Sequence, residues 1–319
     1  MENVKKSFSM KKILSGGFGT VLMLLILMLV FSVLTPLFLT TSNLSNVLIQ
    51  SGTNAVISVG MTYVIISGNT DLSVGAMLAL ASCIGATIMV DSGNVLLGIA
   101  AALAAGIVLG FFNGVLIAYL KFQPFIVTLS TMWLFRGLAY LYTGGQAVTG
   151  LPSGITSLAL GSILYIPNIV WIIVIVYVIC YIVLNQTTMG RKVCAVGDNS
   201  ESARLSGINI KRVTLATFVL SGFCSALSGI IYMARLNSGQ PIAGQSYEMY
   251  AIAAAVIGGA SFTKGGIGSM GGTLVGAIFI AVLNNGLTLL NVNTYWQQVC
   301  MGIVVLLAVA LDRFRKSVK

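Results

Sequence analysis

Apolar stretches of near-membrane length recur along the whole 319-residue chain, separated by short polar or glycine-containing breaks. They fall at about 18–39, 52–67, 72–91, 95–119, 124–143, 168–185, 213–234, 250–262, 270–290 and 295–311. A helix needs about 20 apolar residues to cross a hydrocarbon core of about 30 Å, so the pattern predicts about ten transmembrane helices. Lipid-facing β-strands would alternate over about ten residues at a time, and no such alternation occurs. Two stretches, 52–67 and 250–262, are short for a crossing. At 1.5 Å per residue the second makes only about 20 Å of helix. It reads as a re-entrant or broken helix, tolerated only where protein or a wet cavity satisfies the backbone. The predicted fold class is an all-α polytopic membrane protein, with a single transmembrane domain over 1–319.

Composition agrees. Residues are 57% hydrophobic and 8% charged, with a mean hydropathy of +0.99, whereas a soluble surface needs about 25% charged residues. The first apolar stretch is longer than the core of a cleaved signal peptide and reads as a retained span. With the amino-terminal tail 1–17 cytoplasmic, odd-numbered spans run inside to outside. Cytoplasmic segments then collect Lys5, Lys6, Lys11, Lys12, Lys121, Arg191, Lys192, Arg204, Lys211, Arg212, Lys264, Arg313, Arg315, Lys316 and Lys319. These are 15 of the 17 cations, as the positive-inside tendency requires. The net charge of +10 thus reports orientation, and nothing in the chain interleaves aromatic and basic residues for nucleic acid. Both termini, including the tail 312–319, fall inside. The segment 144–167 is the longest external loop and 186–212 the longest internal one.

Histidine is absent, which removes the usual general base and the commonest metal ligand. Cys83, Cys180, Cys194, Cys224 and Cys300 form no CxxC pair and read as small apolar packers. No GxxxxGK[ST] stretch cradles nucleotide phosphates, so any ATP-driven motor is another chain, and this one is not an enzyme and binds no cofactor of its own.

The remaining chemistry is sparse. Asp71, in Gly68-Asn69-Thr70-Asp71-Leu72-Ser73-Val74-Gly75, is an intramembrane carboxylate that costs about 2.5–3.5 kcal/mol to insert. It either caps a helix start or contacts solute. Glu248 reads as another first-turn carboxylate, with Arg235 as a partner across the loop. Arg136 lies deep in a span, and its partner is a carboxylate or a set of carbonyls. Asn113, Asn284 and Asn285 interrupt apolar spans and read first as interhelical hydrogen-bonding groups. Gly106, Gly110, Gly114, Gly272 and Gly276 recur at four-residue spacing, a close-packing signal. Asp71 precedes Asn113-Gly114 much as Glu248 precedes Asn285-Gly286, five spans later, which suggests a faint 5+5 inverted repeat. Between Asn199 or Ser200, as N-cap, and Gly207, as C-cap glycine, a helix of about seven residues is expected. It is too short to stand alone and suits docking on a soluble partner.

Three segments together resemble ribose-type sugar permeases of ABC importers. The first is Gly60-Met61-Thr62 with Asp71-Leu72-Ser73-Val74-Gly75. The second is Gly190-Arg191 with Asn199-Ser200-Glu201-Ser202-Ala203-Arg204-Leu205-Ser206-Gly207-Ile208. The third runs from Tyr247-Glu248 through Gly258-Gly259 and Gly265-Gly266-Ile267-Gly268 to Leu283-Asn284-Asn285-Gly286-Leu287. Where that family commonly has Gly-Ile before Asp71 and an acid at 250, this chain has Asn69-Thr70 and Tyr250. The resemblance implies a second permease subunit, a separate ABC ATPase that hydrolyses ATP, an extracytoplasmic sugar-binding protein and a place in the bacterial cytoplasmic (inner) membrane. It implies that Asn199, Glu201, Ala203, Arg204 and Gly207 form the coupling helix. Asp71, Asn113, Glu248, Asn284 and Asn285 would line or support the translocation path. The competing readings are the same architecture carrying a nucleoside or branched-chain amino acid, and an ion-coupled carrier using Asp71 and Glu248.

Overall fold

The computed structural model describes residues 17–316. The tail before Gly17, with Lys5, Lys6, Lys11 and Lys12, and the last three residues, with Lys319, lie outside the described residues. In chain order the elements are α1 (Gly17–Leu34), α2 (Thr41–Ile66), α3 (Val74–Ser92), α4 (Val95–Ala118) and α5 (Pro124–Thr143). Then come α6 (Thr156–Leu160), a two-residue hairpin of β1 (Ser162–Ile163) and β2 (Ile166–Pro167), α7 (Asn168–Gln186), α8 (Thr188–Asp198) and α9 (Ser200–Leu205). The chain finishes with α10 (Ile210–Leu236), α11 (Tyr247–Ile257), α12 (Met270–Leu289) and α13 (Thr294–Lys316). Each of the ten expected stretches holds one helix. Seven, α2 to α5, α7, α10 and α12, are long and apolar enough to cross a membrane; α1, α11 and α13 contain shorter apolar runs.

Two expectations need correction. The stretch 52–67 is no short crossing: α2 has 26 residues, about 39 Å of helix. Its first turns escaped notice because Asn43, Asn46, Gln50 and Ser51 interrupt the apolar pattern. Thr40 caps it, its side chain accepting from the Asn43 N–H. Segment 186–212 is mostly helix rather than loop. In α8, Gly190, Val193 and Val196 face the protein at helical spacing while Arg191 and Lys192 are exposed, the amphipathic signature of a surface helix.

The architecture is a buried set of helices, α2, α3 and α10 foremost, flanked by more exposed ones. Helices α2 and α10 pack on each other at the centre, with α3, α4, α11 and α12 around them. By contrast α4, α5 and α7 have less than a third of their apolar windows buried, as suits surfaces for which lipid is as good a solvent as protein. Small residues let the backbones approach. A Cβ on Gly222 of α10 would overlap the Gly106 carbonyl oxygen and crowd Gly110, and one on Gly272 or Gly276 would overlap backbone of Gly258 or Ala254. The glycine spacing is therefore a packing device. Between α2 and α7, Tyr63 Oη donates to the Cys180 carbonyl at 2.6 Å and Tyr177 Oη to the Ala55 carbonyl at 2.9 Å.

Contacts sort the connections into two ends. At one, Val148 and Gly239 exchange backbone hydrogen bonds of 2.8 and 2.9 Å, and Gly154 lies against Val95. At the other, Gly266 N–H donates to the Ile66 carbonyl at 2.7 Å, Gly197 packs on both, and Lys211 lies over the Tyr119 ring. Asp312 of α13 holds the same loop, accepting from Ser261 and Thr263 at 3.2–3.4 Å.

Candidate functional site: a polar cavity over two broken helices

An i, i+4 ladder of polar side chains, Asn46, Gln50 and Asn54, runs down one face of α2. These side chains, with Asn284 of α12 and Tyr247 and Tyr250 of α11, line a cavity of about 350 Å³. The tyrosine rings are tilted, with centroids 5.6 Å apart. Arg235 is the one charged lining residue and lies over the Tyr232 ring, 5.6 Å from its centroid. Leu160 of α6 places the mouth at the end that carries the hairpin. Asn54 is 5% exposed, and neither its amide nitrogen nor its oxygen has a partner among the described residues. Deeper along the same face, Ser58 and Thr62 close their own hydrogen bonds, Thr62 also meeting Thr273 at 2.8 Å.

Beneath the cavity the chain is broken twice. Residues 67–73 leave the helical path between α2 and α3, beginning with Gly68 at φ +79°. Asp71 is fully buried there: one carboxylate oxygen accepts from Ser73 N–H at 3.0 Å and Ser73 Oγ at 2.6 Å, the other from Ser221 Oγ of α10 at 2.8 Å. Asn113 of α4 donates to Ser73 Oγ at 2.8 Å. The sequence left capping and solute contact open for Asp71; its carboxylate accepts from Ser73, the residue that precedes α3, and from Ser221 of α10.

The second break is the non-helical run 237–246 before α11. Ser238, Gly239, Pro241, Ala243 and Gly244 are buried, and the run descends along α3, Gly239 meeting Ser82 and Ala86 and Gly244 meeting Gly75. With only 11 residues, about 16 Å of helix, α11 is shorter than a crossing and follows directly on this extended run. This is the broken helix expected at 250–262. Unwound backbone at such depth needs internal partners, and Arg136 of α5 supplies them. Its Nη1 donates to the carbonyls of Pro241 at 2.7 Å and Ala243 at 2.5 Å. Of the two partners expected for Arg136, the carbonyls are found. The Arg235–Glu248 pair is not: the one ion pair among the described residues is Glu201–Arg204, and the Glu248 carboxylate reaches toward Gly75 at the start of α3.

Asn285 and Asn43 exchange amide hydrogen bonds of 2.9 and 3.0 Å, joining α12 to α2. Of the five residues expected along the path, Asn284 alone lines the cavity, while Asp71, Asn113 and Asn285 hold helices together around it. Asn46, Gln50 and Asn54 were missed, although their four-residue spacing marks one helical face.

At the opposite end α9 has six residues. Asn199 Oδ1 accepts from Ser202 N–H at 2.9 Å, and Gly207, at φ +80°, lets Ile208 N–H reach the Ala203 carbonyl at 3.0 Å. Ala203 is buried against the membrane domain. Glu201 and Arg204 form a two-pronged pair of 2.6 and 3.1 Å on the solvent side, which holds the Glu201 carboxyl below its ordinary range. Leu205 is 74% exposed. The N-cap and the glycine terminus expected from sequence are both present.

Residues 43–309 match the family model described as branched-chain amino acid transport system / permease component. The ribose import permease protein of Bacillus subtilis is 46% identical over 301 residues, covering 94% of this chain and 93% of its own. That of Haemophilus influenzae is 41% identical over 295 residues, 91% of each chain. The D-allose transport system permease protein of Escherichia coli is 38% identical over 298 residues, 93% of this chain and 91% of its own. No solved structure matches the chain. Matched along most of its length by that model and by full-length permeases, the chain belongs to this family of transport-system permease components.

Proposed function

We propose that this chain is the membrane-spanning subunit of an ATP-driven ABC importer for a monosaccharide of the ribose type. The observation that carries the reading is similarity of 38–46% identity over nine-tenths of the chain to permeases named for ribose and allose. The cavity supports it: four carboxamides, each donor and acceptor, suit hydroxyl groups, and no acidic residue lines it to receive the ammonium of an amino acid.

In this reading the chain crosses the bacterial cytoplasmic membrane ten times. The end holding Lys121, Arg191, Lys192, Arg204, Lys211, Arg212 and Lys264 faces the cytoplasm, as do both termini, and 144–167 faces outward. Asn199, Glu201, Ala203, Arg204 and Gly207 build the coupling helix that seats in a separate ABC ATPase. An extracytoplasmic sugar-binding protein delivers solute to the cavity mouth, and a second permease subunit completes the pore. Helices α2 to α4 and α10 to α12 form the inverted-repeat core: α2 packs on α12 and α11 as α10 packs on α4 and α3. Asp71, Asn113, Glu248 and Asn285 support the path, and Asn284 lines it.

The test is reconstitution in proteoliposomes with the cognate ATPase and binding protein. Uptake of labelled ribose should require ATP and both partners. Uptake driven by a proton or sodium gradient with no nucleotidase present would refute the reading.

A further inference from the structure

Thr53, Asn54, Asn113 and Asn168 leave a buried polar atom unpartnered among the described residues, and Asn54 is the one amide that leaves both. It is more than nine-tenths buried, both its polar atoms lack partners among the described residues, and it lines the cavity. Buried amides are ordinarily hydrogen-bonded, and an apolar residue there would pack without that cost. An amide held unpaired in a concave, half-apolar cavity has the character of a recognition group. We propose that the permease chain itself contains a monosaccharide-binding waypoint, in which Asn54, Gln50, Asn46 and Asn284 take the sugar hydroxyls and the Tyr247–Tyr250 pair covers the apolar ring face. This rests on the sugar-import reading and deepens it.

The chemistry selects the ligand class. Each carboxamide offers two N–H donors and a carbonyl acceptor, so neighbouring amides can meet neighbouring hydroxyls whichever way those donate. A cation finds no anion in the lining, and a purely apolar solute leaves Asn54 unpaired. The cavity, about 350 Å³, falls at the small end of the roughly 300–1,000 Å³ range of small-molecule pockets. The two tilted tyrosines share the lining with the amides, the pairing of apolar body and polar edge that a sugar ring itself carries. Below Asn54 the face continues into Ser58 and Thr62, whose hydroxyls are already engaged, so the waypoint sits at the floor of the open part of the path.

The test uses the assembled transporter in proteoliposomes with saturating ribose-loaded binding protein. Asn54→Leu keeps the number of side-chain heavy atoms and removes the unpaired amide, so the complex should assemble with a thermal midpoint no lower than wild type. Sugar moved per ATP should fall about fivefold to tenfold, the loss of one or two neutral hydrogen bonds, while binding-protein-stimulated hydrolysis stays within about twofold. Tyr250→Ala should lower the ratio as well. An unchanged ratio in Asn54→Leu overturns the waypoint while leaving the import reading intact. So does a parallel loss of stimulated hydrolysis, which marks a structural role. A wild-type assembly that moves no sugar overturns both.

Discussion

Replacing Arg136 with Met isolates the device that holds the extended run 237–246 inside the membrane domain. The thioether fills much of the same volume but donates nothing, so the carbonyls of Pro241 and Ala243 lose the bonds of 2.7 and 2.5 Å that Arg136 Nη1 makes. A hydrogen bond to a charged donor contributes about 1.5–3 kcal/mol net. Because one nitrogen serves both oxygens, the lower end applies to each, giving about 3 kcal/mol for the pair. The other backbone tie of this run to a distant segment is the Val148–Gly239 exchange, which does not compensate. At about 1.4 kcal/mol per factor of ten, local opening should become roughly a hundredfold more frequent. Hydrogen–deuterium exchange by mass spectrometry, on the complex in nanodiscs, reads this directly: peptides spanning 237–246 should exchange about two orders of magnitude faster, with peptides from α4 and α10 unchanged. Arg136→Lys, keeping the charge without the planar fork, should fall between. Exchange within about threefold of wild type in Arg136→Met would refute the clamp.

Asp71→Asn should fold with a thermal midpoint near wild type, since one amide oxygen still accepts from Ser73 and the amide can donate to Ser221 Oγ. Asp71→Ala should lower it clearly, by the roughly 1–3 kcal/mol each stranded donor costs. Equal destabilisation of the two would show that the carboxylate's charge, not its acceptors, matters. Glu201→Ala with Arg204→Ala should leave insertion and melting unchanged, because the pair is on the solvent side. It should abolish the link between hydrolysis and uptake, and normal sugar moved per ATP would count against α9 as the coupling element. Gly222→Leu should prevent assembly, because no rotamer avoids the Gly106 carbonyl; a monodisperse gel-filtration peak at wild-type yield would contradict the α4–α10 packing.

Helix existence was legible from apolar run length. The start of α2 was not, because Asn43, Asn46 and Gln50 lower local hydropathy for the very reason that they face protein and cavity instead of lipid. Hydropathy reports the lipid side of a helix and is blind to a polar inner stripe. The break before α11 was foreseen from its length, yet its stabiliser was not narrowed down. Arg136 sits about a hundred residues away, and sequence offered it acids as readily as carbonyls. Likewise Asp71 reads as an intramembrane charge whatever fills its acceptors; Ser73 and Ser221 appear as its partners only in the three distances. The α9 turn was legible almost residue by residue, since a cap and a terminating glycine are local chemistry.

The glycine contact of α10 with α4 joins the first half of the chain to the second, main chain against main chain. The Asn43–Asn285 bonds do the same for α2 and α12. The halves are thus tied by main-chain contact and by an amide pair, so a motion that slid one past the other would first have to break both.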